Sequence, residues 1–183
     1  MSTYLSSNIP VHSECMISYP YGVPDDGYSC GWHTGVDIVP HGSTENNPWI
    51  YPCFAGTVVQ VNLNELNALG IYILIYDGTY YWRYCHLMTD TVQVLVNDVV
   101  DTTTRLARMD TTGTHITGRH LHLECATTPT WQCDTFVNPC DVMDIPNIDD
   151  QVLDWIQPVP PVVIDRKHKF KWVLYANKLR TRY

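Results

Sequence analysis

Residues 71–86 constrain the fold more tightly than any other stretch of the chain. The run IYILIY (71–76) meets Asp77-Gly78, and a second β-branched and aromatic run, TYYWRYCH (79–86), follows it. An Asp-Gly pair tolerates the positive φ that a tight hairpin turn requires, so the two runs are predicted to pair antiparallel. Further strands are predicted at 55–62 (AGTVVQVN), 92–100, 105–109 and 120–125 (HLHLEC), the last alternating strictly. Helical periodicity is scarce. It is confined to 63–69 before Gly70 and to 149–156 (DDQVLDWI), each enough for about two turns. The expected fold class is therefore mainly β, with antiparallel sheets joined by loops.

At 183 residues the chain is sized for one domain with a short appendage. Apolar residues make up 45% and charged residues 16%, which excludes a disordered chain or a coiled coil. No apolar run approaches the ~20 residues needed to span a bilayer, so no membrane span is expected. The opening MSTYLSSNIP has neither the basic nor the apolar part of a secretory signal, so export by that route is not expected. Charge divides the chain. Residues 1–150 hold seventeen acidic residues against four arginines and no lysine, a net of −13. Residues 151–183 hold seven Lys/Arg against Asp154 and Asp165, a net of +5. The acidic part is unsuited to nucleic acid. Pro158, Pro160 and Pro161 mark a Pro-rich linker, giving a body at 1–150, a linker at 151–163 and a basic, aromatic tail at 164–183. Such a tail suits an anionic polymer or a docking face on another protein.

Seven cysteines (15, 30, 53, 85, 125, 133 and 140) form no C-x-x-C pair, which excludes a zinc ribbon and leaves at least one thiol unpaired. They are read chiefly as buried free thiols acting as small hydrophobes. Cys133 with Cys140 is the pair considered for a bridge.

Three histidine clusters carry the chemistry: His33-Thr34-Gly35-Val36-Asp37, Tyr84-Cys85-His86-Leu87, and His120-Leu121-His122 within TGRHLHLE. His and Asp are ordinary zinc ligands, and a catalytic zinc site keeps three protein ligands and one open position. Strand alternation puts His120, His122 and Glu124 on one face, with Leu121, Leu123 and Cys125 on the other. The same parity turns Cys85 away from the face that His86 uses. Glu124 then lies where a carboxylate can orient His122 or His120 from behind. His115 and Trp49 are candidates to line a substrate cleft.

In order and spacing these motifs resemble the lysostaphin-type (LytM-like) zinc endopeptidases, which cut peptidoglycan peptides. The resemblance runs over 31–143. It takes in H-x-G-x-D at His33, Gly35 and Asp37, A-G-T-V-V at 55–59, Y-x-H-L at 84–87, TGTHITGRHLHLE at 112–124 and V-N-P at 137–139. It implies the antiparallel lysostaphin-like (duplicated hybrid motif) fold and one zinc ion bound by His33, Asp37 and His122. His86 and His120 would be the unliganded catalytic histidines, and Tyr28 sits where a tyrosine helps hold the oxyanion. The implied activity is hydrolysis of a stem-peptide or cross-bridge bond in bacterial peptidoglycan. A phage lysin released by a holin, or a virion component, would bring such an enzyme to the wall without a signal. The basic tail would then bind anionic wall polymer or a virion protein. The alternative is a non-catalytic wall-binding or virion structural module that keeps the fold. The sequence departs from the family at Asn97 and Asp110, where glycines are usual, and in a longer segment at 41–52.

Overall fold

The computed structural model describes residues 3–42, 45–114, 116 and 118–158. In chain order its elements are β1 (Tyr4–Ser6), β2 (Cys15–Tyr19), β3 (Val36–Pro40), β4 (Trp49–Ile50), β5 (Gly56–Asn62), β6 (Ile71–Tyr76) and β7 (Tyr81–Leu87). There follow β8 (Val99–Val100), β9 (Ala107–Arg108), β10 (Leu121–Ala126), β11 (Phe136–Val137), α1 (Pro139–Met143) and β12 (Val152–Trp155). One large sheet runs β1-β12-β2-β3-β10-β7-β6-β5-β8, with β11 also on β10, while β4 and β9 form a separate ribbon. Among the described residues only β1 and β12 pair parallel. The mainly β, antiparallel architecture is the one expected.

The β6–β7 hairpin turns on Asp77. Its backbone N–H donates to Tyr80 O at 3.1 Å, and its carboxylate accepts from the Thr79 and Tyr80 amides and from Trp82 Nε1, each at 2.7 Å. Gly78 takes φ +100°. The hairpin buries Ile73, Ile75, Trp82 and Tyr84 with Ile17, Ile38, Leu121 and Leu123 of the neighbouring strands. This apolar layer fixes β3, β10 and β7 side by side, and those three strands and the residues just before β3 and β10 carry the candidate site side chains.

Several expectations are corrected. Residues 63–69 form turns in place of a helix. The predicted helix at 149–156 is strand β12, inserted between β1 and β2 with Val152 opposite Met16 and Leu153 opposite Cys15. The first residues of the expected linker thus belong to the sheet, and the remainder from 159 onward, with the whole tail, lies outside the described residues. Only Val99–Val100 of 92–100 is strand, because Asn97 at φ +77° closes a turn before it. The unforeseen α1 has a legible start: Asn138 accepts the Cys140 N–H at 3.0 Å, and Pro139 fills the first helical position.

One disulfide forms where free thiols were the main expectation, and it is not the Cys133–Cys140 pair considered. Cys30 bonds to Cys133, with Cα atoms 5.5 Å apart and a sequence separation of 103. Cys140 is buried in α1, and Cys15, Cys53, Cys85 and Cys125 are likewise free and buried, as small hydrophobes should be.

Candidate metal centre

His33 enters the site from a backbone clamp: its N–H donates to Val23 O at 2.8 Å, and its C=O accepts from Gly22 N at 2.9 Å. Asp37 follows on β3, directly opposite His122 on β10. Gly35 lies between them because a Cβ there would meet Leu123 O at 2.6 Å and His122 Cε1 at 2.7 Å. Close approach, and not an unusual φ, requires glycine.

Three donor atoms converge. His33 Nε2 is 3.2 Å from Asp37 Oδ1 and 3.1 Å from His122 Nδ1, and His122 Nδ1 is 2.8 Å from the same Asp37 oxygen. Donors placed tetrahedrally around zinc at its usual bond length stand roughly 3.3 Å apart, close to this triangle. The far side of each ring is committed. His33 Nδ1 donates to Pro20 O at 2.9 Å, which leaves its Nε2 lone pair directed inward. His122 Nε2 lies 3.2 Å from Glu124 Oε1, close but off the line of a good hydrogen bond. With both rings neutral and protonated on their outer nitrogens, two nitrogen lone pairs and a carboxylate face one another at 2.8–3.2 Å, an arrangement that a cation among them relieves. The donor set therefore fits a divalent metal ion, which His33, Asp37 and His122 could hold.

The ionisation of the groups reports the same demand for positive charge. Burial opposes a charge on His122, but Asp37 and Glu124 outweigh it and bring the imidazole up to about 9. Burial would raise Asp37; bonds from His122 and His33 instead hold it well below the usual carboxylate range. Glu124 is likewise brought down to about 2 against burial, first by Arg83 and then by His122.

His86 and His120 stand beside this triangle with ring centroids 4.7 Å apart. His86 Nδ1 donates to Thr112 O and His120 Nδ1 to Gly118 O, both at 2.8 Å, so each neutral ring keeps its lone pair on Nε2. His120 Nε2 lies 3.7 Å from Asp37 Oδ2. Burial, then the charges of His122 and His120, lower His86 to about 3. Tyr28 packs against His33 at 5.2 Å and His122 at 5.9 Å between ring centroids. Burial and then Asp37 raise its phenol well above the usual value, so it stays protonated.

One parity argument fails. Between Ile71 and Ile73 of β6, the facing residues on β7 advance from Tyr84 to Leu87, which places an extra residue at Cys85-His86. His86 there takes φ +60° and leaves the strand's alternation. Cys85 pairs with His122 across the ladder, so it lies on the site's face of the sheet and not away from it. Burial raises its thiol well above the usual range, which keeps it neutral.

Of the other candidates, Trp49 lies in the β4–β9 ribbon under the guanidinium groups of Arg105 and Arg108, at 5.0 and 4.5 Å from its ring centre. None of its described contacts is with the histidine cluster. His115 lies outside the described residues. Sequence reasoning passed over Thr34 and Arg83, whose side chains both hold Glu124. The signal for Arg83 is its position opposite Glu124, visible only once β7 and β10 are in register.

Residues 31–135 match the model of peptidase family M23. No curated protein matches the chain in sequence. Among solved structures, the catalytic domain of the antimicrobial peptidase lysostaphin from Staphylococcus simulans is similar with a TM-score of 0.56 and 22% identity, over 73% of this chain and 92% of that one. LytU is similar at 0.56 and 25%, over 70% of this chain and 83% of that one. A zinc containing peptidase from Vibrio cholerae is similar at 0.55 and 24%, over 73% of this chain but 38% of that one. This chain thus spans well under half the length of the Vibrio cholerae protein.

Proposed function

The chain belongs to peptidase family M23, and from that premise we propose that it is a zinc-dependent endopeptidase acting on the peptides of bacterial peptidoglycan. The observation that carries this reading is the triangle of His33 Nε2, Asp37 Oδ1 and His122 Nδ1, with sides of 2.8–3.2 Å, beside two unliganded histidines. When bound, the ion supplies Lewis acidity that activates water and polarises a peptide carbonyl. His120 and His86 act on protons: each can accept one at Nε2 while its Nδ1 stays on a backbone carbonyl, and then release it to the departing amine. Tyr28 offers a protonated hydroxyl to the charge that develops on the carbonyl oxygen. Glu124 holds His122 from behind.

The proposed setting is the bacterial wall, outside the cytoplasm, reached by phage-type release or as part of a virion. The Cys30–Cys133 disulfide supports an oxidising compartment. Among the described residues no helix is long and apolar enough to cross a membrane. The basic residues of 164–183 are proposed to bind anionic wall polymer or a virion protein. The non-catalytic alternative has no missing ligand or histidine to support it.

Mass spectrometry of fragments released from purified sacculi of several cross-bridge chemistries tests the reading. New peptide termini that vanish with a chelator and with His120→Ala are the expected result. Sacculi left uncut by zinc-loaded protein would overturn it.

A further inference from the structure

Behind His122 the fold buries a second set of charged groups. Glu124 is 2% exposed. Its Oε2 is held by Arg83 through both Nε and a terminal guanidinium nitrogen. Its Oε1 accepts the Thr34 hydroxyl at 2.7 Å and lies 3.2 Å from His122 Nε2. Arg83 faces Glu124 across the β7–β10 ladder, and its guanidinium covers the Trp131 ring at 3.8 Å.

A buried ion pair is weak support for a fold, because desolvation roughly cancels the attraction and two apolar side chains of similar volume do as well. The direction in which the pair points accounts for it better. One nitrogen of His122 faces Asp37 and His33, and the other faces Glu124. A carboxylate 3.2 Å from Nε2, even off the line of a good hydrogen bond, favours the proton on that nitrogen by its charge and so leaves the lone pair on Nδ1. Arg83 in turn anchors the far oxygen of Glu124, which holds the carboxylate away from Asp37. Thr34, between His33 and Gly35, ties the same carboxylate to the other ligand-bearing segment.

We propose that Arg83 and Glu124 are a positioning pair that fixes the tautomer and orientation of His122 for metal binding, with Trp131 capping the guanidinium. This rests on the reading of His33, Asp37 and His122 as metal ligands. The test is zinc affinity by competition with a chromophoric chelator, together with the visible spectrum of the cobalt(II)-loaded protein. The variants are Glu124→Gln, Thr34→Val and the charge-neutral double variant Arg83→Met with Glu124→Leu. The double variant is expected to melt close to the parent yet bind zinc roughly 10–100-fold more weakly, with a shifted cobalt spectrum. Glu124→Gln should show the same loss, and Thr34→Val a smaller one in the same direction. A folded double variant with the parent's affinity and spectrum would make the pair purely structural and overturn the proposal. Should the double variant not fold, an unchanged affinity and spectrum in Thr34→Val overturns it instead. A parent that binds neither zinc nor cobalt removes the metal-centre reading itself, which is a distinct outcome.

Discussion

Gly35 shows at the scale of one residue how little freedom the site has. A methyl group there would stand 2.6 Å from Leu123 O, 2.7 Å from His122 Cε1 and 3.0 Å from Glu124 Cγ, so either the ring or the strand must move. Gly35→Ala is expected to lower zinc affinity at least tenfold and to destabilise the fold by about 1–3 kcal/mol, the range for overpacking. Chelator competition and thermal unfolding measure both, and an unchanged affinity would mean that the site yields without loss. On the proposed reading the histidines divide by role. His122→Ala should lose the metal, whereas His86→Ala and His120→Ala should keep it and lose about 10²–10⁴-fold in rate; metal analysis beside fragment release separates the two classes. All five candidate ligand and catalytic residues were legible in the sequence, because each lies in a short pattern whose spacing has a chemical meaning. Thr34 and Arg83 were not, since their importance depends on which strand lies opposite which. His86 was legible as a histidine but not in its placement, which a bulge at Cys85-His86 decides.

At the scale of elements, the hairpin was readable because Asp77 specifies its own turn, while β12 was not. The apolar residues of 149–156, at 152, 153, 155 and 156, suit a helix as well as a strand, and an open edge on β2 decided the matter, which no local pattern records. The docking of β12 carries a pH dependence. Trp155 stacks on one face of His12 at 3.9 Å, and Tyr51 stacks on the other at 3.7 Å. Burial, opposed only by a backbone bond at Thr102, lowers His12 to about 4. An unfolded histidine titrates near 6.5, so the folded state binds fewer protons between these values. The contribution of His12 is thus fully present above about pH 6.5 and is lost as pH falls toward 4. His12→Phe keeps a flat ring in the stack and removes the titration. The thermal midpoint of the parent is expected to fall more steeply over this window than that of the variant; parallel curves would show that His12 contributes nothing.

Across the whole molecule, the Cys30–Cys133 disulfide joins the site's two flanks. Cys30 lies between Tyr28 and His33, and Cys133 lies in the loop after β10 that also presents Trp131 to Arg83. The bridge links cysteines at a sequence separation of 103, and chain entropy for a loop of that order gives about 4.7 kcal/mol, with measured losses for native bridges of about 2–5 kcal/mol. Reduction, or Cys30→Ser, is therefore expected to lower the unfolding free energy by about 2–5 kcal/mol in denaturant titrations. The same change should weaken zinc binding, because it frees one end of the segment that aims His33 at Asp37. The other end remains clamped by the Gly22–His33 and Val23–His33 backbone bonds, so the metal should be bound less tightly but not abandoned. The two effects are separable. A fall in stability with unchanged zinc affinity would mean that the backbone clamp alone aims His33 and that the bridge acts only on the unfolded chain. A fall in both would make the bridge part of the machinery that holds the ligand set together, and would tie the enzyme's working form to an oxidising surrounding.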